Sequence, residues 1–189
     1  MLDAEMQALR LLTNAGCVVI CAGGGGIPVL QNATTGALQG VQAVIDKDRA
    51  ATMVGDALGA DGLIILTDVT AVATNFGQPT QRWIKYASPA AMEKLLPQFP
   101  DGSMGPKCAS AIDFCRRTGG WAVIGSLTQA EGILAGTHGT RIESRAADND
   151  DDECIEFYKD HPHVPNNEDD LPPREKSLKQ WELESAALT

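Results

Sequence analysis

The stretch CVVICAGGGGIPVL, residues 17–30, has an apolar run shaped like a buried strand that empties directly into four consecutive glycines. Bare backbone at Gly23, Gly24, Gly25 and Gly26 can bring N–H groups close to a guest that side chains would hold off, and phosphate is the commonest such guest. A flexible turn is the other reading of the same glycines, and the stretch alone does not choose between them. Two lysines placed at the starts of helices tip the choice toward phosphate.

The first is Lys47. Residues 46–58 carry apolar side chains at helical spacing, with Ala50, Met53, Val54, Ala57 and Leu58 on one face. Asp46 suits the N-cap, which leaves Lys47 in the first turn. The second is Lys107, in GSMGPKCASAIDFCRRTGG, residues 102–120. There Pro106 suits the first helical position, Ala109, Ile112, Phe114 and Cys115 continue the pattern, and Gly119 with Gly120 ends it. A cation in a first turn meets the positive end of the helix dipole at a cost of roughly 0.3–1 kcal/mol, so an anion is needed to make it favourable. Either ammonium alone could simply swing into water; both together, beside a glycine corner, predict a polyanionic ligand. Residues 62–66 read as a fully buried strand whose end, Thr67 and Asp68, would face the ligand crevice of an open α/β sheet. The other reading of Asp68 is a turn cap.

The spacing predicts a helix over 3–14, strands over 17–22 and 62–67, and a hairpin region over 71–86. A helix over 89–96 capped by Ser88, the Lys107 helix, a strand over 121–125, a short helix over 128–134 and a strand over 140–143 complete the order. Such alternation predicts an α/β fold, a mostly parallel sheet with helices on both faces.

GGGGIPV, GVQAVIDKD, LTDV with NFG and Pro79 after it, GSMGPK and GTRI follow one another along the chain. In that order and spacing they resemble carbamate kinase, a member of the amino acid kinase fold, over about residues 3–142. The resemblance covers only the C-terminal, nucleotide-binding part of such an enzyme. The family's N-terminal segment, with its own Gly-Gly-Asn phosphate motif and a further lysine on the carbamoyl side, is not matched. The resemblance implies reversible phosphoryl transfer between carbamoyl phosphate and ADP, giving ATP and carbamate, with Mg²⁺ as the accompanying ion and no metal ligand assigned. By position, Lys47 and Lys107 would hold the transferring phosphoryl group and Asp48 would orient them as an organiser rather than a base. Gly23 to Gly26 would lie at the phosphate and acceptor end. Thr67 and Asp68 would lie on the nucleotide-phosphate side, and Asn75, Phe76 and Met104 would border the adenine. Thr70, Ala73 and Gln78 depart from the aspartate, tyrosine and lysine usual at those positions, and Gln78 implies weaker binding of ADP or ATP. A truncated, noncatalytic nucleotide-binding or interaction module is the alternative function.

Composition sets the outer bounds. The 189 residues are 43% hydrophobic without an apolar run near bilayer length, and the start, with Asp3 and Glu5, lacks a signal-peptide pattern. These features predict a cytoplasmic protein that does not engage a membrane. The odd number of cysteines, Cys17, Cys21, Cys108, Cys115 and Cys154, reads as reduced packing residues without metal spacing. Residues 1–143 form the expected domain, and residues 144–189 an acidic tail expected to be disordered, with 13 Asp and Glu against 5 Lys and Arg. That charge argues against a nucleic-acid partner. Within the tail, residues 176–188 could form an amphipathic helix, and His161 and His163 with Cys154 could be imagined as metal ligands. Strands left open on the side of the unmatched segment predict a homodimer or association with another chain.

Overall fold

The computed structural model describes residues 3–144 and 154–159. Helix α1 (Asp3–Asn14) is followed by a small antiparallel hairpin, β1 (Val29–Gln31) and β2 (Leu38–Gly40). Next come α2 (Lys47–Leu58), β3 (Gly62–Thr67), β4 (Ala73–Thr74), β5 (Arg82–Ala87) and α3 (Pro89–Leu95). The order continues with α4 (Met104–Thr118), β6 (Trp121–Ser126), α5 (Ala130–Leu134), β7 (Thr140–Ile142) and β8 (Ile155–Phe157).

Local chemistry sets the helix ends. The Asp46 carboxylate accepts the backbone N–H groups of Asp48 at 3.0 Å and Arg49 at 2.9 Å, satisfying two of the donors a helix start leaves without partners. Ser88 caps α3 in the same way, its hydroxyl accepting the N–H of Ala91 at 3.1 Å. At the other end of α2, Gly59 adopts a left-handed φ of 67° that glycine alone takes without penalty. Helix α4 begins two residues before the expected Pro106, so Pro106 is its third residue, still among those whose N–H would have no intrahelical acceptor.

The main sheet has the order β3-β6-β7-β5-β4, with β8 on β5. Its longest ladder, β3 with β6, is parallel through six residue pairs; β5 with β7 is also parallel, while β6–β7, β4–β5 and β5–β8 are antiparallel. Ala122 and Ile124 of β6 join Leu63, Ile65, Phe114, Ile112 and Met92 in the core beneath α3 and α4. The opposite face of β6 carries Gly125, where an added Cβ would stand 2.8 Å from Cδ1 of Ile133 on α5. Helices thus cover both faces of the sheet.

Only residues 59–61 separate α2 from β3, and only Gly119 and Gly120 separate α4 from β6. Links this short force each helix to run antiparallel to the strand that follows it. The first turns of α2 and α4 therefore lie at the end of the sheet where β3 and β6 finish, at Thr67 and Ser126.

Several expectations need correction. Residues 17–22 form no strand: they lie in no ladder, Ala22 takes a left-handed φ of 62°, and Val18 is 97% and Ile20 98% exposed, with Cys17 and Cys21 also exposed. A segment becomes a strand only where another strand takes its N–H and C=O groups, and the bonds here are local, such as Cys17 N–H to Leu12 O at 3.0 Å. On α2 the buried residues are Asp48, Ala50 and Thr52, whereas Met53 is exposed, because that helix is packed largely against α4. Residues 155–157 lie in the stretch expected to be disordered, yet form β8, with Ser88 N–H donating to Cys154 O at 2.8 Å. The β1–β2 hairpin was not expected; Asn32 turns it by accepting the N–H groups of Thr34 and Thr35, both at 2.9 Å. His161, His163 and residues 176–188 lie outside the described residues. Among the described residues no helix is long and apolar enough to cross a membrane.

Burial pushes the thiols of Cys108 and Cys115 up to about 12, Lys107 pulling Cys108 weakly the other way. Unfolded thiols ionise near 8.5, so the unfolded chain binds fewer protons above that pH and the stabilising effect of these two groups falls as pH rises toward 12. A thiol-labelling time course at pH 8 on the native protein is expected to modify Cys17 and Cys21 within minutes and to leave Cys108 and Cys115 untouched. Rapid labelling of either buried thiol without denaturant would contradict this packing.

Candidate functional site

Helices α2 and α4 lie side by side in the same direction, and their contacts climb in turns. Nearest the helix starts, Lys107 Nζ meets Asp48 Oδ2 at 2.9 Å. One turn on, the Thr52 hydroxyl lies 3.1 Å from the Ser110 carbonyl. Next, Gly55 faces the Phe114 ring, with only 2.9 Å between Cε2 and the place a Cβ would occupy. At the far end Arg117 pairs with Asp56. Glycine at 55 lets the helix axes approach, and the close approach brings their positive ends together.

The charges gather there. Side-chain exposure is 10% for Asp48 and 13% for Lys107, so this is a largely dry ion pair. Lys47 Nζ stands 3.9 Å from the same Asp48 oxygen but is 62% exposed, leaving its ammonium open to solvent or to a ligand. Two lysines share the Asp48 carboxylate, while the Asp46 carboxylate caps the α2 start itself. An anion with several charged oxygens is the natural complement.

Gly25 joins the same corner. It is buried at φ 144°, and a side chain on it would run into the backbone carbonyl of Ile45, the residue before the Asp46 cap. Gly25 thus packs its backbone against the entrance to α2, and the neighbouring Gly23, Gly24 and Gly26 are exposed beside it. The expected strand before the glycines is missing, yet the glycine corner still reaches the lysines' helix.

Thr67 and Asp68 lie where β3 ends, the Thr67 hydroxyl donating to Asp68 Oδ1 at 3.0 Å. Asn75, at a left-handed φ of 51°, and Phe76 occupy the exposed turn between β4 and β5, with Phe76 edge-on to Trp83 at 6.2 Å. Strand directions put this turn at the same end of the sheet, but β5 lies three strands from β3, roughly 14 Å away. Met104, the first residue of α4, is half-buried against the core. The arrangement is therefore a row along one sheet end, with cations at the α2 and α4 starts and aromatic surface to one side.

Sequence reasoning missed Thr52 and Ser110, whose pairing has no local signature, and Thr70, noted there as a departure from the family pattern, is buried with its Oγ1 lacking a hydrogen-bond partner. Neither of two clefts on the surface includes the lysines. One lies between Gln78, Gln81, Arg82, Trp83 and β8, the other between α1 and α2 around Arg10 and Met53. Among the described residues no group of three or more His, Cys, Asp or Glu could hold a metal ion.

The sequence model of the amino acid kinase family matches residues 2–126. This chain belongs to the amino acid kinase family. Within it, carbamate kinase of Haemophilus influenzae is 46% identical over 154 residues, 82% of this chain and 47% of that protein. Carbamate kinase of Escherichia coli K12 is 46% identical over 139 residues, 73% of this chain and 44% of that one. Carbamate kinase from Giardia lamblia bound to AMP-PNP superimposes with a TM-score of 0.71 at 37% identity, covering 75% of this chain and 50% of that one. A UMP kinase from Bacillus anthracis, at 14% identity and a TM-score of 0.53, shares the fold alone. The chain spans about half the length of these carbamate kinases. As an amino acid kinase family member it has a mixed sheet, like the α/β fold expected, and Lys47 and Lys107 sit at two adjoining helix starts.

Removing Lys107 leaves Asp48 buried with only the distant Lys47 opposite it. Lys107→Ala is expected to cost about 3 kcal/mol, and Lys107→Met with Asp48→Asn together much less than the two changes added. Lys47→Ala is expected to stay within about 0.5 kcal/mol of the parent, since it also relieves a cation at a helix start. Urea unfolding of the parent, Lys107→Ala, Lys47→Ala, Lys107→Met, Asp48→Asn and the double variant measures these changes, and strict additivity would contradict the buried pair.

Proposed function

We propose that this chain supplies the nucleotide side of a carbamate kinase-like phosphotransferase, moving a phosphoryl group reversibly between carbamoyl phosphate and ADP. The observation that carries the reading is the meeting of Lys47, Asp48 and Lys107 where α2 and α4 begin. In the ATP-forming direction an oxygen of the ADP β-phosphate forms a bond to phosphorus as the bond to the carbamoyl oxygen breaks, and carbamate leaves. Negative charge spreads over the phosphoryl oxygens, so catalysis needs donors already aimed at them. Asp48 fixes the direction of Lys107, Lys47 reaches in from solvent, and the glycine backbone supplies further donors. Thr67 and Asp68 are assigned to the nucleotide phosphates, and Asn75, Phe76 and Met104 to the adenine.

The Giardia relative bound to AMP-PNP supports a nucleotide ligand, and the excess of cations fits polyphosphate. Mg²⁺, when bound, neutralises phosphate charge. Asp68 is a single exposed carboxylate, so the ion would be held chiefly by nucleotide oxygens, the usual habit of Mg²⁺. Gln78, exposed and uncharged where the family resemblance points to lysine, makes ADP binding weaker than in carbamate kinases at large. Free cysteines at the surface fit a reducing compartment, and the proposal places the chain in the cytoplasm. The exposed apolar run at 17–22 and the outer edge of β3, which carries no strand among the described residues, support a homodimer formed through this side. The same exposed run favours a second reading, in which the chain binds nucleotide without transferring phosphate.

Purified chain mixed with Mg²⁺, ADP and carbamoyl phosphate is expected to form ATP, with Lys107→Ala slower by about 100-fold or more. Equal rates for the two would overturn the enzyme reading. ADP binding that depends on Lys107, without ATP formation, would establish the second. Sedimentation velocity is expected to show a dimer, and a single monomeric boundary at high concentration would refute the association.

A further inference from the structure

Asp48 can direct Lys107 only while α2 and α4 keep their axial register, and most contacts between the two helices cannot set it. The Gly55–Phe114 contact is apolar and tolerates sliding, and the Arg117–Asp56 pair sits at the far, exposed end. Thr52 is different. It is 1% exposed, one turn beyond Asp48, and its Oγ1 lies 3.1 Å from the carbonyl of Asp48 and 3.1 Å from that of Ser110.

A threonine inside a helix ordinarily returns its proton to the carbonyl four residues back. Here a second acceptor comes from the other helix, 58 positions along the chain. The hydroxyl has one proton and two carbonyls within reach, so it joins the backbone of Asp48 to the backbone one turn beyond Lys107. Because both partners are main-chain atoms, the bond ties the helices themselves rather than two flexible side chains. Burial from water makes a directional bond there more discriminating than it would be in solvent.

We propose that Thr52 is a positioning residue, locking the start of α4 against the start of α2 so that the Lys107 ammonium meets a nucleoside polyphosphate at the point Asp48 sets. The inference rests on the phosphate site proposed above and adds a residue that touches neither substrate nor lysine. Valine has the same shape without the hydrogen bond; serine keeps the bond and loses a methyl.

The test measures ADP affinity by calorimetry beside urea unfolding for the parent, Thr52→Val, Thr52→Ser, Arg117→Gln, Lys107→Ala and the Thr52→Val/Lys107→Ala double variant. Thr52→Val is expected to weaken ADP binding about tenfold, and Thr52→Ser to stay within about threefold of the parent. Arg117→Gln, which loosens the same helix pair at its far end, is expected to leave affinity within about twofold. The discriminating result is coupling: Lys107→Ala should cost about tenfold less in the Thr52→Val background than in the parent. Independent, multiplying effects, or an equal loss with Arg117→Gln, would overturn the positioning role. Should Thr52→Val unfold, Thr52→Ser carries the test, and a tenfold loss there would overturn it too. Parental affinity in Lys107→Ala would sink the phosphate site and this proposal together, whereas parental affinity in Thr52→Val alone sinks only this one.

Discussion

A carboxylate held between two helix starts is the constraint on which this structure depends. Asp48 is nearly buried, and a buried charge is tolerated only when paired and hydrogen-bonded. Its partner, Lys107, comes from 59 residues further along the chain, so the pair can form only if α2 and α4 run the same way and begin at the same level. Once that is met, two dipole ends and two ammonium groups face one place. Asp46 and Asp48 offset part of that charge, and the exposed Lys47 ammonium is the part the proposed anion site would use.

Short links deliver this geometry. Caps at Asp46, Gly59 and Gly119 set where each helix starts and stops, and the brief returns into β3 and β6 set the direction. Parallel pairing of those two strands then brings the helices alongside. The small residue at position 55 allows the axes to close against Phe114, and Gly25 brings its bare backbone against the carbonyl that precedes the Asp46 cap. Each device is modest alone, and all point to the same end of the sheet.

Much of this was legible in the sequence because it is local. Asp46, Ser88 and Gly119 signal helix ends through their own hydrogen bonds and backbone preferences, so Lys47 and Lys107 could be placed in first turns from the chain alone. Periodicity failed where the answer lay in another part of the fold. Residues 17–22 have the composition of a buried strand, but strand formation requires a neighbour and none is present among the described residues. The apolar face assigned to α2 overlooked that its main partner is α4, which buries Asp48 and Thr52 and leaves Met53 in solvent. Nothing in the spacing marks Thr52 or Ser110, and the strand at 155–157 was hidden by acidic surroundings.

The central claim is that the glycine corner and the two helix starts form one phosphate site. Hydrogen–deuterium exchange of the full chain with and without saturating ADP and Mg²⁺ tests it most directly. Slower exchange is expected together at residues 23–26, 47–50 and 105–109. Protection confined to residues 78–83 and 155–159, beside the cleft under the β4–β5 turn, would contradict the account.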